Sequence, residues 1–428
     1  MEDTTNKKTY RNYLFFWTGQ LFSLFGSTIV FFAITIWLTL ETGSAMFMAT
    51  ASFMYILPMT ICMPIAGVFA DRLNRKVLII VVDSLQAFAT FLLIILFQLN
   101  ILTTWMMLIF ISVRSVFQAF HLPTVNAIIP AMVPQDKLTK INGINYLFTG
   151  VVQLSAQFVA AALLVFLTIN HLLWADVITF FIALIPLLLI HIPSVKHRVE
   201  NPGTIEKNSF IKEFNLGIRT LRVIPGLTAM IILSMFINFL IRPLDTLMSF
   251  YILIDHGGTE LIYAFTLISF QGGMILGALV ASFKKKWANR MRIIFLGIVV
   301  AGIGYTIFSI APTGAFFIIG VGGFVLGIML PIINSLYQTW IQTTVPKDKI
   351  GRVTSIDHTL SMSISPIATI ITGPLATLLG TANLFLYSAL LMITITILTW
   401  SFSSIRRINY DDPSLIDEIS SNINNIKI

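Results

Sequence analysis

Three full charges stand in the middle of long apolar runs: Arg114, Arg242 and Asp245. A charge in hydrocarbon costs several kcal/mol, so each of these side chains has to face protein or a water-filled path, where it can meet a solute, a proton or an opposite charge. Spacing gives them company. Arg114, Gln118 and His121 follow i, i+4, i+7, and Asn238, Arg242, Asp245 and Ser249 follow i, i+4, i+7, i+11, so each set makes one helical stripe. Gln20, Ser23 and Ser27 add a stripe near the N-terminus, and Asn334, Tyr337, Gln338 and Gln342 add another in the second half. The chemistry such stripes offer is reversible: carboxylates that gain and lose protons, and amides and hydroxyls that select a polar group. Asp245 leads the proton-exchange candidates as the deepest acid, with Arg242, Arg114, Asp83 and Asp176 beside it. Arg242 and Asp245 also stand at i, i+3, the spacing of a structural ion pair. Asp83 and Asp357 fall within two turns of the charged ends of their runs, where gate or surface pairing is expected, and Asp176 falls toward the opposite side, within reach of water. Gln20, Ser23, Gln118, His121, Asn238 and Tyr337 are the candidate cavity lining, set among Phe, Met and Ile. Pro243, between Arg242 and Asp245, removes a backbone donor and predicts a kink.

These stripes need elements to carry them. The chain has 428 residues, 56% hydrophobic and 11% charged, far from the roughly 25% charged residues of soluble domains. Apolar runs longer than the ~20 residues that cross a bilayer recur along it. Spans are predicted near 14–40, 44–69, 77–98, 103–132, 139–167 and 171–192, then 226–252, 260–283, 292–311, 314–342, 353–379 and 382–404. The stripes fall on spans one, four, seven and ten; the third, ninth and twelfth read as apolar outer supports. Of the 27 Lys and Arg, all but Arg114 and Arg242 lie in the terminal segments or in alternate connections. Positive residues in short loops stay cytoplasmic, so both termini are expected in the cytoplasm of a multi-pass plasma (inner) membrane protein. The net charge of +8 is thereby explained by topology, without nucleic acid as a partner. Val133-Pro-Gln-Asp-Lys137-Leu138 recurs as Val345-Pro-Lys-Asp-Lys349-Ile350, marking a direct six-plus-six repeat. Such parallel repeats place a site between two halves near the midplane. The expected organisation is a bundle over 1–192, a cytoplasmic linker with an amphipathic helix over 193–225, a second bundle over 226–404 and a cytoplasmic tail over 405–428. Gly273-x-x-x-Gly277 and Gly323-x-x-x-Gly327 read as close helix crossings.

Between the second and third spans stands Gly67-Val-Phe-Ala-Asp71-Arg72-Leu-Asn74-Arg75-Lys76. This resembles the signature loop of the major facilitator superfamily, G-x-x-x-D-R-x-G-R-[RK], with Asn74 where the family usually has Gly; Asn also tolerates a left-handed turn. Ala119-Phe120-His121-Leu122-Pro123, Val133-Pro134 and Leu138 look like the macrolide-efflux-type drug exporters, as do Phe214, Gly217, Leu221 and Pro225-Gly226. The fifth span has Gly150 without a proline beside it, a departure from the Gly-Pro motif of many drug/proton exchangers. The resemblance implies an all-α fold of twelve transmembrane helices in two pseudo-symmetric six-helix bundles. It also implies a cytoplasmic gate at Gly67, Asp71, Arg72, Arg75 and Lys76, where Asp71 would face the helix beginning at Gly351-Arg352.

The function expected is secondary active transport: proton-coupled efflux of amphipathic, macrolide-like compounds by alternating access. Alternatives are export of a siderophore or a lysophospholipid, or a sensor on the same scaffold without transport. The partners expected are a small amphipathic organic substrate, protons and membrane lipids, with a monomer working on the proton gradient and no cofactor. No H-E-x-x-H, phosphate-cradling loop or nucleophile elbow is present, so an enzyme is not expected. Cys62 is the single cysteine, so neither a disulfide framework nor a cysteine-rich metal site is available.

Overall fold

The structure, a computed structural model, describes residues 2–134, 137–190, 192, 224–284, 287, 289–345 and 350–408. Its long elements are all helices, and 12 of them are long and apolar enough to cross a membrane among the described residues. In hydrocarbon a helix satisfies every backbone group within itself, so apolar runs of this length have no other stable form. In chain order they are α1 (Glu2–Thr42), α2 (Ala45–Arg72), α3 (Arg75–Gln98), α4 (Thr104–Met132), α5 (Leu138–Leu164) and α6 (Ile169–Leu189). The second set is α7 (Leu227–Phe250), α8 (Glu260–Phe283), α9 (Arg290–Ser309), α10 (Phe316–Thr344), α11 (Ile350–Ser363 and Ser365–Leu379) and α12 (Thr381–Phe402).

α7 continues through Pro243 and passes into a π turn over Tyr251–Asp255. α11 breaks at Ile364, where Pro366 removes the next backbone donor. Thr369 and Thr372, on the polar face of α11, donate to Ser365 O (2.9 Å) and Ala368 O (2.8 Å) of their own helix. They are satisfied locally. The amphipathic helix expected between Pro193 and Arg222 lies outside the described residues, as do Gln135, Asp136, 346–349 and the tail beyond 408.

Contacts divide the chain into two units: Met1–Arg198 with Ser249–Phe265, and Val199–Met248 with Thr266–Ile428. In the first, α1 lies against α4, α5 and α6, α3 lies between α4 and α6, and α2 lies on α4. The segment Ser249–Phe265 joins this unit through side chains. Thr39 Oγ1 of α1 donates to Ser249 Oγ at 3.0 Å, Phe32 stacks on Tyr263 at 5.4 Å, and Phe158 meets Phe265 edge-on at 5.9 Å.

In the second unit α9 packs on α10 and α12. Gly304 and Gly322 put the backbones of α9 and α10 in direct contact, and a Cβ on either would strike main-chain atoms of the other helix. Gly273 and Gly277 of α8 do the same against Phe324 and Ile328 of α10, with Gly327 returning the contact at Phe270. Gly323 has only ordinary clearance, so three of the four glycines in the two small-residue motifs make the crossing.

Candidate functional site

The first unit has a polar core between two apolar clusters. Tyr13, Phe16, Ile79, Ile128, Met132 and Leu187 are among the residues that close one end. Val30, Ile34, Leu93, Met107, Phe110 and Leu173 are among those that close the other. Between them the polar residues form two layers. Gln20 and Ser27 on α1, Asp83 and Thr90 on α3, and His121 and Arg114 on α4 are each seven residues apart. Seven residues are two helical turns, about 10.5 Å, so the pairs stack on the same faces.

The first layer is an ion pair with its hydrogen bonds complete. Arg114 Nη1 lies 2.6 Å from Asp176 Oδ2 of α6. Thr90 Oγ1 donates to the same carboxylate oxygen at 2.6 Å, and Ser27 Oγ donates to Asp176 Oδ1 at 2.7 Å. Arg114 also reaches Thr90 Oγ1 at 2.6 Å and Ser27 Oγ at 3.3 Å. Four helices are tied by one carboxylate, in the arrangement that makes a buried charge tolerable: opposite charge plus donors for the remaining lone pairs. Asp176 is only 5% exposed, so its place is in the bundle interior and not within reach of water. Arg114 turns its charge to Asp176, and neighbouring Ser115 Oγ bonds Tyr55 O of α2.

The second layer is incomplete. His121 Nε2 lies 3.0 Å from Gln20 Oε1 and 3.4 Å from Asp83 Oδ1. The side chains of Asp83 and His121 are 8% and 18% exposed. Asp83 is therefore buried, not a surface or gate pair, and α3 turns one polar face to the core while Val77, Val81, Leu85, Phe88 and Leu92 stay exposed on the other side. Gln20 Nε2 and His121 Nδ1 are buried with no hydrogen-bond partner.

The remaining candidates are dispersed. In α7, Arg242 Nη1 pairs with Asp245 Oδ2 at 2.9 Å, and the Asp245 side chain is 68% exposed, the reverse of the burial expected for the leading acid. Asn238 Nδ2 donates to Ser234 O of its own helix at 2.9 Å. Tyr337 OH donates to Asp357 Oδ1 at 2.7 Å, and both side chains are buried, so this pair joins α10 to α11 inside the second unit. Ser23 and Gln118 are half-buried.

The loop after α2 works through its cations. Gly67 lies within α2, which runs on to Arg72, and a Cβ there would meet nothing within 4 Å. Asn74 has φ −66°, so it makes no left-handed turn. Its side chain instead caps α3, accepting from Lys76 N at 3.0 Å and Val77 N at 3.4 Å. Arg75 donates to Ala70 O of α2 (3.2 Å) and Ala127 O of α4 (2.9 Å). Lys76 Nζ donates to Leu188 O (2.8 Å) and Ile190 O (2.7 Å) at the end of α6. Each cation answers carbonyls at or near a helix C-terminus, the end that attracts positive charge. The side chains of Asp71, Arg72 and Arg352 lie outside those described.

A sequence profile of the Major Facilitator Superfamily matches residues 16–369. The chain is 31% identical to macrolide efflux protein A of Streptococcus pyogenes over 393 residues, 92% of this chain and 96% of that one. It is 30% identical to macrolide efflux protein A of Enterococcus faecalis over 325 residues, 76% and 99%. Among solved structures, a bacterial homologue of the iron transporter ferroportin in an inward-facing state aligns with a TM-score of 0.68 at 15% identity, covering 91% of this chain and 99% of that one. The nucleoside transporter NupG aligns at 0.67 and 14%, covering 93% and 100%. At those identities the structures show the fold alone. With twelve apolar helices and a family profile over most of its length, this multi-pass membrane transporter belongs to the major facilitator superfamily.

Proposed function

We propose that the protein exports amphipathic, lipophilic compounds of the macrolide type in exchange for protons, by alternating access. The observation that carries this reading is the nearly end-to-end likeness to macrolide efflux protein A, since 96% of the streptococcal relative is covered. Physical features support it. A full ionic cluster sealed inside the first unit by apolar side chains gives a rigid frame, and titratable groups beside it give a means of coupling to protons. In this reading the chain works as a monomer in the plasma membrane with both termini in the cytoplasm. It needs no cofactor besides the proton gradient.

Expression in a drug-sensitive bacterial host tests the substrate class. Raised resistance to macrolides, lost when the proton gradient is collapsed, is the outcome expected. Unchanged resistance to every lipophilic compound tried, together with saturable uptake of a sugar or an amino acid, would overturn it.

A further inference from the structure

The two layers of the polar core differ in how fully their charges are answered. Around Asp176 every requirement is met: one guanidinium, two hydroxyl donors and a net charge of zero. An arginine does not deprotonate in a protein, so Asp176 always has a cation beside it. Around Asp83 the same geometry is left short. The groups that face its carboxyl are His121 from α4, Gln20 from α1 and, one layer away on α6, Asp176, which Arg114 already neutralises. Beside Gly19, next to Gln20 on α1, α6 presents Ala183 and Pro186.

Two oxygens, Gln20 Oε1 and Asp83 Oδ1, converge on one ring nitrogen. A hydrogen on Nε2 would serve both. With the ring neutral and the carboxyl ionised, the layer holds an uncompensated buried negative charge. One added proton, on the carboxyl or on the ring, brings it to zero. A coupled pair of this kind takes up its proton as a unit.

We propose that Asp83 and His121 together are the proton-coupling site of this transporter, with Gln20 holding the ring in place and the Arg114–Asp176 layer a fixed anchor. The assignment rests on the proton-exchange reading above, and it moves coupling from Asp245 on α7 to α3 and α4. Asp245 has its own arginine 2.9 Å away and a side chain largely open to its surroundings, so it is not a stranded buried charge. The proton balance is simple: substrate binding is favoured when the pair has released its proton, and reprotonation on the proton-rich side resets the protein.

The test uses full-length protein in proteoliposomes, with radiolabelled macrolide as the probe. Wild type is expected to accumulate macrolide under a pH gradient and to exchange labelled for unlabelled macrolide without one. Asp83→Asn and His121→Gln are expected to lose gradient-driven accumulation while keeping exchange. Asp83→Glu is expected to restore part of the accumulation, which a purely structural role in exchange would not require. Proton release on macrolide binding to unbuffered protein is expected for wild type and Asp245→Asn and absent from Asp83→Asn. If Asp83→Asn is not recovered folded, His121→Gln and the proton release of wild type carry the test. Accumulation that persists in Asp83→Asn or His121→Gln overturns the assignment, as does wild-type binding without proton release. Absence of any gradient dependence in wild type would instead remove the proton-exchange reading itself.

Discussion

Replacing Arg114 by Met should be among the most destabilising single substitutions in the first unit, and removing Asp176 with it should recover much of the loss. Arg114 contributes the positive charge and three polar contacts at 2.6, 2.6 and 3.3 Å. Without it Asp176 keeps Ser27 and Thr90 as donors but loses its only cation in a site that is 5% exposed. Breaking a buried ion pair from one side costs about 3–5 kcal/mol, because the surviving charge is stranded. Replacing both partners by apolar residues of similar volume is often neutral or stabilising. The double variant Arg114→Met/Asp176→Leu should therefore be more stable than either single variant. The coupling energy should be about 3 kcal/mol, roughly 150-fold in the folding equilibrium. Equilibrium unfolding in mixed micelles, followed by tryptophan fluorescence, measures all four corners of the cycle. Additive single effects, with no coupling beyond about 0.5 kcal/mol, would refute the ionic anchor.

Four further outcomes follow from packing and hydrogen bonding. Gly277→Ala places a Cβ against the main chain of Ile328, which cannot move aside as a side chain can, so a loss of about 1–3 kcal/mol in stability is expected in the same assay. Gly320→Ala, with its nearest neighbour at 3.6 Å, should be nearly silent there. Lys76→Met removes the ammonium from the carbonyls of Leu188 and Ile190 and should cost about 1.5–3 kcal/mol; a Lys76→Arg variant retaining full stability, with Met equally stable, would count against that role. In a Cys62→Ser background, Thr39→Cys/Ser249→Cys should cross-link on oxidation and stop turnover until reduced, read on gels after cleavage at a protease site inserted in the linker; free thiols after oxidation would show that α1 and the end of α7 do not stay together.

What was legible in the sequence was what hydrocarbon penalises. Length of apolar run, the one-sided placement of Lys and Arg and the signature loop lead to twelve spans because each has a large energetic cost if violated. Arg114 stood out for the same reason. Its partner did not, because Asp176 lies 62 residues away on another helix and nothing in a one-dimensional pattern says that α4 and α6 meet there. Asp83 reads as a gate or surface residue because it stands within two turns of the charged end of a mostly apolar span. Thr90, seven residues further on, was the available clue, since the same interval separates Gln20 from Ser27 and Arg114 from His121. Asn74 was read through its tolerance of left-handed backbone, whereas its oxygen is used as a helix cap, the commoner role for Asn after a turn. Burial was the least readable quantity: Asp245 is open and Asp83, Asp176 and Asp357 are closed, an order fixed by helix rotation and neighbours and not by depth along a span.

The most direct test of the account is the initial rate of macrolide entry into acid-loaded proteoliposomes, with protein-free liposomes as the baseline for passive entry of a weak base. The account predicts a protein-dependent component that saturates with macrolide concentration and disappears when an ionophore collapses the pH gradient. A protein-dependent rate that is the same with and without the gradient, or no rate above the protein-free baseline, would contradict it.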